Sequence, residues 1–150
     1  LGRGEVELWH RPGPMEGSVW VVFHKQEVIF IGDTVTVEKP PFVGEANIPA
    51  WLEALDDLRS PNLSTYRLIS SRDCEVDRDQ INAMARFLRK VQLRVDRVKK
   101  LGDSGAVFDK LAAELLSDYE LSGSQRDRAN LRLRVGIEDL YQKLYRVEIE

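Results

Sequence analysis

Few residues that could combine in acid–base, nucleophilic or metal chemistry lie close together in this sequence. The two histidines, His10 and His24, both lie within the first 24 residues. The candidate nucleophiles Ser70, Ser71 and Cys74 stand close together, but no histidine lies near them in sequence to act as a base. Covalent catalysis by a serine or a cysteine is therefore not predicted.

Asp33 is a further candidate, within the tripeptide Gly32-Asp33-Thr34. An Asp at the end of a strand is favoured as a turn residue, because its side chain accepts hydrogen bonds from nearby amides. The same carboxylate could be a metal ligand, although one carboxylate alone is a poor site for a transition metal.

The composition of the 150 residues, 43% hydrophobic and 31% charged, is typical of a globular domain. No apolar run approaches the roughly 20 residues of a membrane-spanning helix, and no signal-peptide pattern opens the chain. We therefore expect a soluble, cytoplasmic protein with no membrane partner. Cys74 is the single cysteine, which excludes an intrachain disulfide, and we expect it to be a small buried apolar residue. Because the chain opens at Leu1 without an initiator Met, we expect it to be a piece of a longer product.

The net charge of −3 argues against general affinity for nucleic acid. Between Asp77 and Lys100, however, eight Lys or Arg residues stand against three Asp residues, which predicts one basic helix. Surfaces that bind phosphates usually combine such charge with aromatic side chains, and only Phe87 is nearby. We expect a solvated face opposed to acidic residues such as Asp56 and Asp57, and nucleic acid is not an expected partner.

The elements that must position these residues are predicted from periodicity. Short β-branched and aromatic runs indicate four strands: Val6–His10, Ser18–Phe23, Glu27–Ile31 and Tyr66–Ser70. His24-Lys25-Gln26 is short enough to join the second and third strands in an antiparallel hairpin.

Helical spacing predicts four helices. One begins near Pro49, with Trp51, Leu55 and Leu58 on one face. A second is capped by Asp77 with Gln80 and runs to Gly102. A third carries Phe108 to Tyr119, and a fourth is capped by Ser124 with Asp127; these two form an antiparallel pair joined by Leu121-Ser122-Gly123. We predict two domains, residues 1–101 and a helical hairpin over 102–150.

Four features in sequence order resemble the C-terminal half of the metallo-β-lactamase superfamily. His10-Arg11-Pro12-Gly13-Pro14-Met15-Glu16-Gly17-Ser18 is similar to the family's H-x-P-G-H-x-x-G-S loop, and a hairpin and Gly32-Asp33-Thr34 follow at the family's distance. Pro41-Phe42-Val43-Gly44-Glu45-Ala46 with the helix around Trp51 resembles the family's insert and helix. The strand ending in Ile69-Ser70-Ser71-Arg72-Asp73 resembles the family's final Pro-Gly-His-Gly loop.

The resemblance implies an α/β fold, namely half of an αββα sandwich: a mainly antiparallel sheet with helices on one face, followed by a helical pair. It also implies that Asp33 occupies the position of the carboxylate that bridges two metal ions, zinc or another divalent metal. Pro14 stands at the position of a histidine ligand and has no donor atom, and Arg72, beside Asp73, stands at the position of the final histidine. We therefore treat Pro14, Arg72 and Asp73 as degenerate site positions, Asp33 as the one surviving ligand position, and expect no cofactor in this chain. An Arg72–Asp33 ion pair in place of the metal bridge is a further hypothesis.

Two functions stay open. In the first, the parent protein is hydrolase-like and the missing first half, with the H-x-H-x-D-H motif, supplies most of the metal ligands, so that this piece alone is inactive. In the second, the chain is a non-catalytic module for protein association or for nucleic-acid docking through the basic helix. An isolated half leaves an apolar sheet face uncovered, so we expect either the first half or a second copy as its partner.

Overall fold

The computed structural model of the chain describes residues 5–72, 75–102 and 104–146. Cys74, which we expected to be buried, lies outside the described residues. The strands are β1 (Glu7–His10), β2 (Val19–Phe23), β3 (Val28–Gly32), β4 (Arg67–Ser70) and β5 (Glu75–Val76), and the helices are α1 (Ile48–Leu58), α2 (Arg78–Leu101), α3 (Gly105–Leu116) and α4 (Gly123–Tyr145). The four predicted strands are present within about a residue at each end, whereas β5 has two residues, too few for a periodic pattern. No helix within the described residues is long and apolar enough to cross a membrane.

Within the described residues the strands form one sheet, in the order β1-β2-β3-β4-β5. The pairs β1–β2, β2–β3 and β4–β5 are antiparallel, and β3–β4 is parallel. The predicted hairpin is confirmed: His24–Gln26 forms a 3-10 turn between β2 and β3, and Glu27 closes it in the left-handed conformation. The α/β class and the mainly antiparallel sheet are as predicted.

One face of the sheet is part of the core. Trp20 and Val22 of β2 and Ile29 of β3 have no exposed surface, and Ile31 and Leu68 continue the same face. The intervening side chains are more exposed, which is the period of two that strands with one covered face require.

Helix α1 covers this face in the way its sequence indicates. Its N-cap, Asn47, accepts a hydrogen bond from the amide of Ala50 at 3.1 Å, and Pro49 stands in the first turn. Trp51, Leu55 and Leu58 are buried, as the helical spacing predicts.

The other face of the sheet is apolar and partly open. The strand register places Leu8, Val21, Phe30 and Ile69 in one row across four strands. Leu8 is 69% exposed and Phe30 is 45% exposed. We call these four residues the apolar row.

Helix α2 begins with a capping box, as predicted. The Asp77 side chain accepts from the amide of Gln80 at 2.8 Å, and the Gln80 side chain accepts from the amide of Asp77 at 2.9 Å. The helix ends at Leu101, and Gly102 then has a φ of +84°.

Helices α3 and α4 form the predicted pair, since Phe108 near the start of α3 contacts Tyr141 near the end of α4, with ring centroids 5.7 Å apart. The predicted Ser124 cap is wrong. The N-cap is Ser122, whose extended backbone makes it the last residue before the helix, and its side chain forms no capping bond. Tyr119 lies beyond the end of α3 and packs edge-on against Phe87 of α2.

By contacts in space the chain forms two compact units. The first contains the described residues through Val37 together with Asn47–Ala85, and the second contains Glu38–Ala46 and the described residues from Arg86 onward. The predicted organisation into a half domain over residues 1–101 and a helical hairpin over 102–150 stays a prediction.

Candidate functional site

The candidate site is built on the turn that follows β3. Gly32 has a φ of +57°, a conformation that suits glycine, and the amide of Thr34 donates to the carbonyl of Ile31 at 3.1 Å. Thr34 is buried and holds two core tryptophans. Its hydroxyl accepts from the indole N–H of Trp20 at 2.9 Å, and its carbonyl accepts from that of Trp51 at 2.8 Å. These two bonds anchor the turn to the core, while the Asp33 side chain stays 45% exposed.

The Asp33 carboxylate binds two side chains from the end of β4. The Ser71 hydroxyl donates to Oδ1. The Arg72 guanidinium donates through Nε to Oδ1 at 3.1 Å and through Nη2 to Oδ2 at 3.4 Å. Because β3 and β4 are parallel neighbours, their carboxyl ends meet at one edge of the sheet. The hypothesised Arg72–Asp33 ion pair is therefore present.

A cavity of about 280 Å³ opens beside this carboxylate. Pro14, Met15 and Val19 supply much of its apolar lining, and Ser18, Asp33 and Ser71 are among its polar residues. Pro14, Asp33 and Arg72 thus belong to one neighbourhood, while Asp73 lies outside the described residues. That these positions descend from metal ligands stays a prediction.

The two histidines are engaged in other contacts. His10 Nε2 lies 2.7 Å from the carbonyl of Glu16. His24 lies between Glu7 Oε2, at 3.0 Å, and the Tyr66 hydroxyl, at 2.7 Å. The hydrogen bond from His24, followed by one from Trp9, lowers the pKa of Glu7. Among the described residues, no three His, Cys, Asp or Glu side chains are grouped closely enough to share a metal ion.

Two cations of the basic helix are neutralised by acidic residues of the second compact unit. Lys90 pairs with Asp118 at 2.6 Å, and Arg94 pairs with Glu114. The acidic partners that we named were wrong, because Asp56 pairs with Arg59 and Asp57 pairs with Arg11 at 3.0 Å. Periodicity alone does not reveal these partners, since they lie 28 and 20 residues further along the chain than Lys90 and Arg94.

The arrangement around Asp33 is better suited to holding two strand ends together than to activating a nucleophile. Ser71 is bonded to a carboxylate, but a carboxylate paired with a guanidinium is a poor proton acceptor for a hydroxyl group. From the sequence we considered Ser71 only as a nucleophile. Neither its bond to Asp33 nor the hydrogen bonds of Thr34 with the two tryptophans were predicted. The parallel pairing of β3 with β4, which brings Ser71 to Asp33, had no signal in the sequence.

No protein-family model matches this chain, and no curated protein matches it significantly. Solved structures, by contrast, are similar. A metallo-beta-lactamase from Pontibacter korlensis is 17% identical over 59% of this chain and 43% of its own, with a TM-score of 0.51. A metallo-beta-lactamase family protein from Thermus thermophilus is 15% identical over 94% of this chain and 44% of its own, with a TM-score of 0.56. The stereoselective inverting sec-alkylsulfatase from Pseudomonas sp. is 16% identical over 95% of this chain and 24% of its own, with a TM-score of 0.53.

These likenesses show the fold. The chain has the metallo-β-lactamase fold, as the sequence motifs implied, and its matched part spans less than half the length of each of these proteins.

Proposed function

We propose that this chain is the second half of a hydrolase-like protein of the metallo-β-lactamase fold, that it holds no metal ion, and that it has no hydrolytic activity alone. One observation carries the proposal. The carboxylate of Asp33, which the resemblance puts at the metal-bridging position, is bonded to the guanidinium of Arg72 and the hydroxyl of Ser71.

The donor set does not fit a dinuclear centre. Such a site needs roughly five imidazoles and a bridging carboxylate to hold two metal ions and lower the pKa of a bound water. Pro14 lines the cavity without any donor atom, and Arg72 brings a permanent positive charge next to the carboxylate. A divalent cation placed there would be repelled by the guanidinium and would have to displace it from Asp33.

The guanidinium instead provides the positive charge that Asp33 needs. Its flat fork of donors suits a carboxylate, which a spherical ammonium group would match less well. Both side chains are about half exposed, so the pair contributes modestly to stability and mainly fixes the ends of β3 and β4.

Metal analysis of the purified chain tests this proposal. After equilibration with zinc, manganese or iron and removal of the free metal, we expect less than stoichiometric metal in the wild type and the same content in Asp33→Ala. Asp57→Ala is the matched control, because Asp57 is also an exposed carboxylate paired with an arginine. Hydrolysis of ester, phosphodiester, sulfate ester and β-lactam substrates should not exceed that of heat-denatured protein.

Two outcomes would overturn the proposal. One is stoichiometric metal that is lost in Asp33→Ala but kept in Asp57→Ala. The other is turnover by the isolated chain that Asp33→Ala removes.

A second candidate function, a module for protein association, is supported by the apolar row. Leu8, Val21, Phe30 and Ile69 form a band that another apolar sheet could cover. The same face also carries Arg67 paired with Glu75 at 2.8 Å, both more than half exposed, so it has charges of both signs that a second copy could meet. For the isolated chain we therefore propose a second copy as the occupant of this face. The pairs of Lys90 and Arg94 with acidic residues give no support to nucleic-acid docking through the basic helix.

A further inference from the structure

The second compact unit contains a small basic cleft that the proposed function does not use. It has a volume of about 180 Å³ and lies between the segment before Val43 and the first turns of α4. Its lining consists of Lys39, Pro40, Gln125, Arg128, Ala129 and Arg132. Cationic groups from two separate segments of the chain thus converge on one concave surface, and no carboxylate belongs to the described lining.

The spacing along α4 makes this convergence specific. Gln125, Arg128 and Arg132 stand three and four residues apart, so they lie on one face of the helix. Like charges four residues apart destabilise a helix when nothing of opposite charge lies between them. An anion in the cleft would reverse the sign of that interaction.

Other cations of this unit are placed differently. Arg134, on the same helix, pairs with Asp109 at 3.0 Å and with Glu138 at 3.1 Å. Among the described residues Arg128 and Arg132 have no such carboxylate. This contrast separates the cleft from an ordinary solvated face, where acidic and basic side chains alternate.

Arg132 is also held in position by packing. Its guanidinium carbon lies 5.7 Å from the centre of the Phe42 ring, in a cation–π contact. Phe42 lies in turn so close to α4 that a Cβ added at Gly136 would be 3.3 Å from its ring. A guanidinium that is ordered in advance loses less conformational entropy when it binds an anion.

We propose that this cleft binds the phosphate group of a small molecule. Two guanidinium groups offer paired donors to the oxygens of a tetrahedral anion, and Gln125 adds an amide donor. The volume fits such a group and a small attached fragment, whereas a polynucleotide would need an extended basic track.

Titration with inorganic phosphate and then with pyrophosphate at constant ionic strength tests the proposal. Binding is detected in NMR spectra by shifts of the backbone amide and arginine Nε resonances. We expect saturable shifts at Gln125, Arg128 and Arg132, and tighter binding of pyrophosphate. Arg128→Gln/Arg132→Gln should weaken binding at least about tenfold, and Arg132→Lys should weaken it less because the charge is kept.

Arg126→Gln is the control, because Arg126 is an exposed arginine of the same helix outside the cleft lining; it removes one positive charge, and the double variant removes two. It should leave the affinity unchanged. Absence of saturable shifts, or an equal loss of affinity in Arg126→Gln, would overturn the proposal. Single-stranded oligonucleotides could also bind more tightly than pyrophosphate, with an affinity that grows with their length and falls equally in Arg126→Gln and in the double variant. That result would overturn the proposal and assign the surface to nucleic acid. All variants replace exposed side chains, and circular dichroism verifies that each is folded.

Discussion

Thr34 links the candidate site to the core through two hydrogen bonds. Its hydroxyl and carbonyl each accept an indole N–H, from Trp20 and Trp51, and neither tryptophan has exposed surface. Asp33, the next residue back, lies in the same four-residue turn, which Thr34 closes by donating its amide to the carbonyl of Ile31, so the bonds of Thr34 help to fix its position. The residue that carries the charge and the residue that fixes its place are therefore different.

Replacing Thr34 with valine should destabilise the protein by about 1–3 kcal/mol, since it keeps the shape but leaves the buried Trp20 N–H without its acceptor. Urea unfolding followed by tryptophan fluorescence measures this loss. Thr34→Ser keeps the hydroxyl and should lose clearly less. Equal stability of Thr34→Val and the wild type would mean that this hydrogen bond does not hold the turn.

At the scale of elements, helix ends and interhelical contacts decide which polar groups are paired. The capping box of α2 satisfies two backbone amides at the start of the helix. Beyond the end of α3, Tyr119 packs on Phe87 with ring centroids 5.6 Å apart, and its side chain is half-buried. Burial, followed by the charge of Asp118, raises the pKa of Tyr119 above its usual value.

The raised pKa of Tyr119 predicts a loss of stability in alkali. In the unfolded chain the phenol ionises near pH 10, whereas the folded protein holds it neutral, so the free energy of unfolding falls as the pH rises above about 10. Tyr119→Phe removes this contribution. Its unfolding free energy, measured in urea from about pH 8 to about pH 11, should fall less steeply than that of the wild type. At the lowest pH, the difference in unfolding free energy between the two proteins gives the part of the substitution's effect that does not depend on pH. Parallel curves of unfolding free energy against pH would contradict the prediction.

At the scale of the whole molecule, the partly open sheet face is the surface that we propose for association. A row of four apolar side chains with partly exposed Leu8 and Phe30 is the kind of surface that soluble proteins cover. The solved structures with this fold are longer chains, of which this one matches less than half. We therefore propose that, in the isolated chain, a second copy covers the apolar row.

Light scattering should therefore give the isolated chain about twice its mass of 17.2 kDa. Phe30→Asp, which puts a charge in the apolar row, should shift it to the monomer. Leu131→Asp is the matched control, because Leu131 is a 62% exposed apolar residue of α4 and should leave the mass unchanged. A wild type that stays a compact monomer at high concentration would contradict the prediction.

Much of the fold follows from the sequence alone, because periodicity and capping are local. The strands, the buried faces of α1 and α2, and the Asp77–Gln80 capping box each depend on residues a few positions apart. The order of the motifs was enough to identify the fold, and the residue types at Pro14 and Arg72 were enough to question a metal site.

Only the tertiary structure decided which of these residues meet. The Asp33–Arg72 pair was proposed from the family's geometry, but its bond and that of Ser71 exist because β4 lies parallel to β3, 38 residues apart in sequence at the Ser71–Asp33 contact. The partners of Arg94 and Lys90 and the basic cleft around Arg128 likewise depend on packing between distant segments. Which side chains pair across such distances depends on the free energy of the whole fold. The local pattern of residues therefore does not predict these pairs.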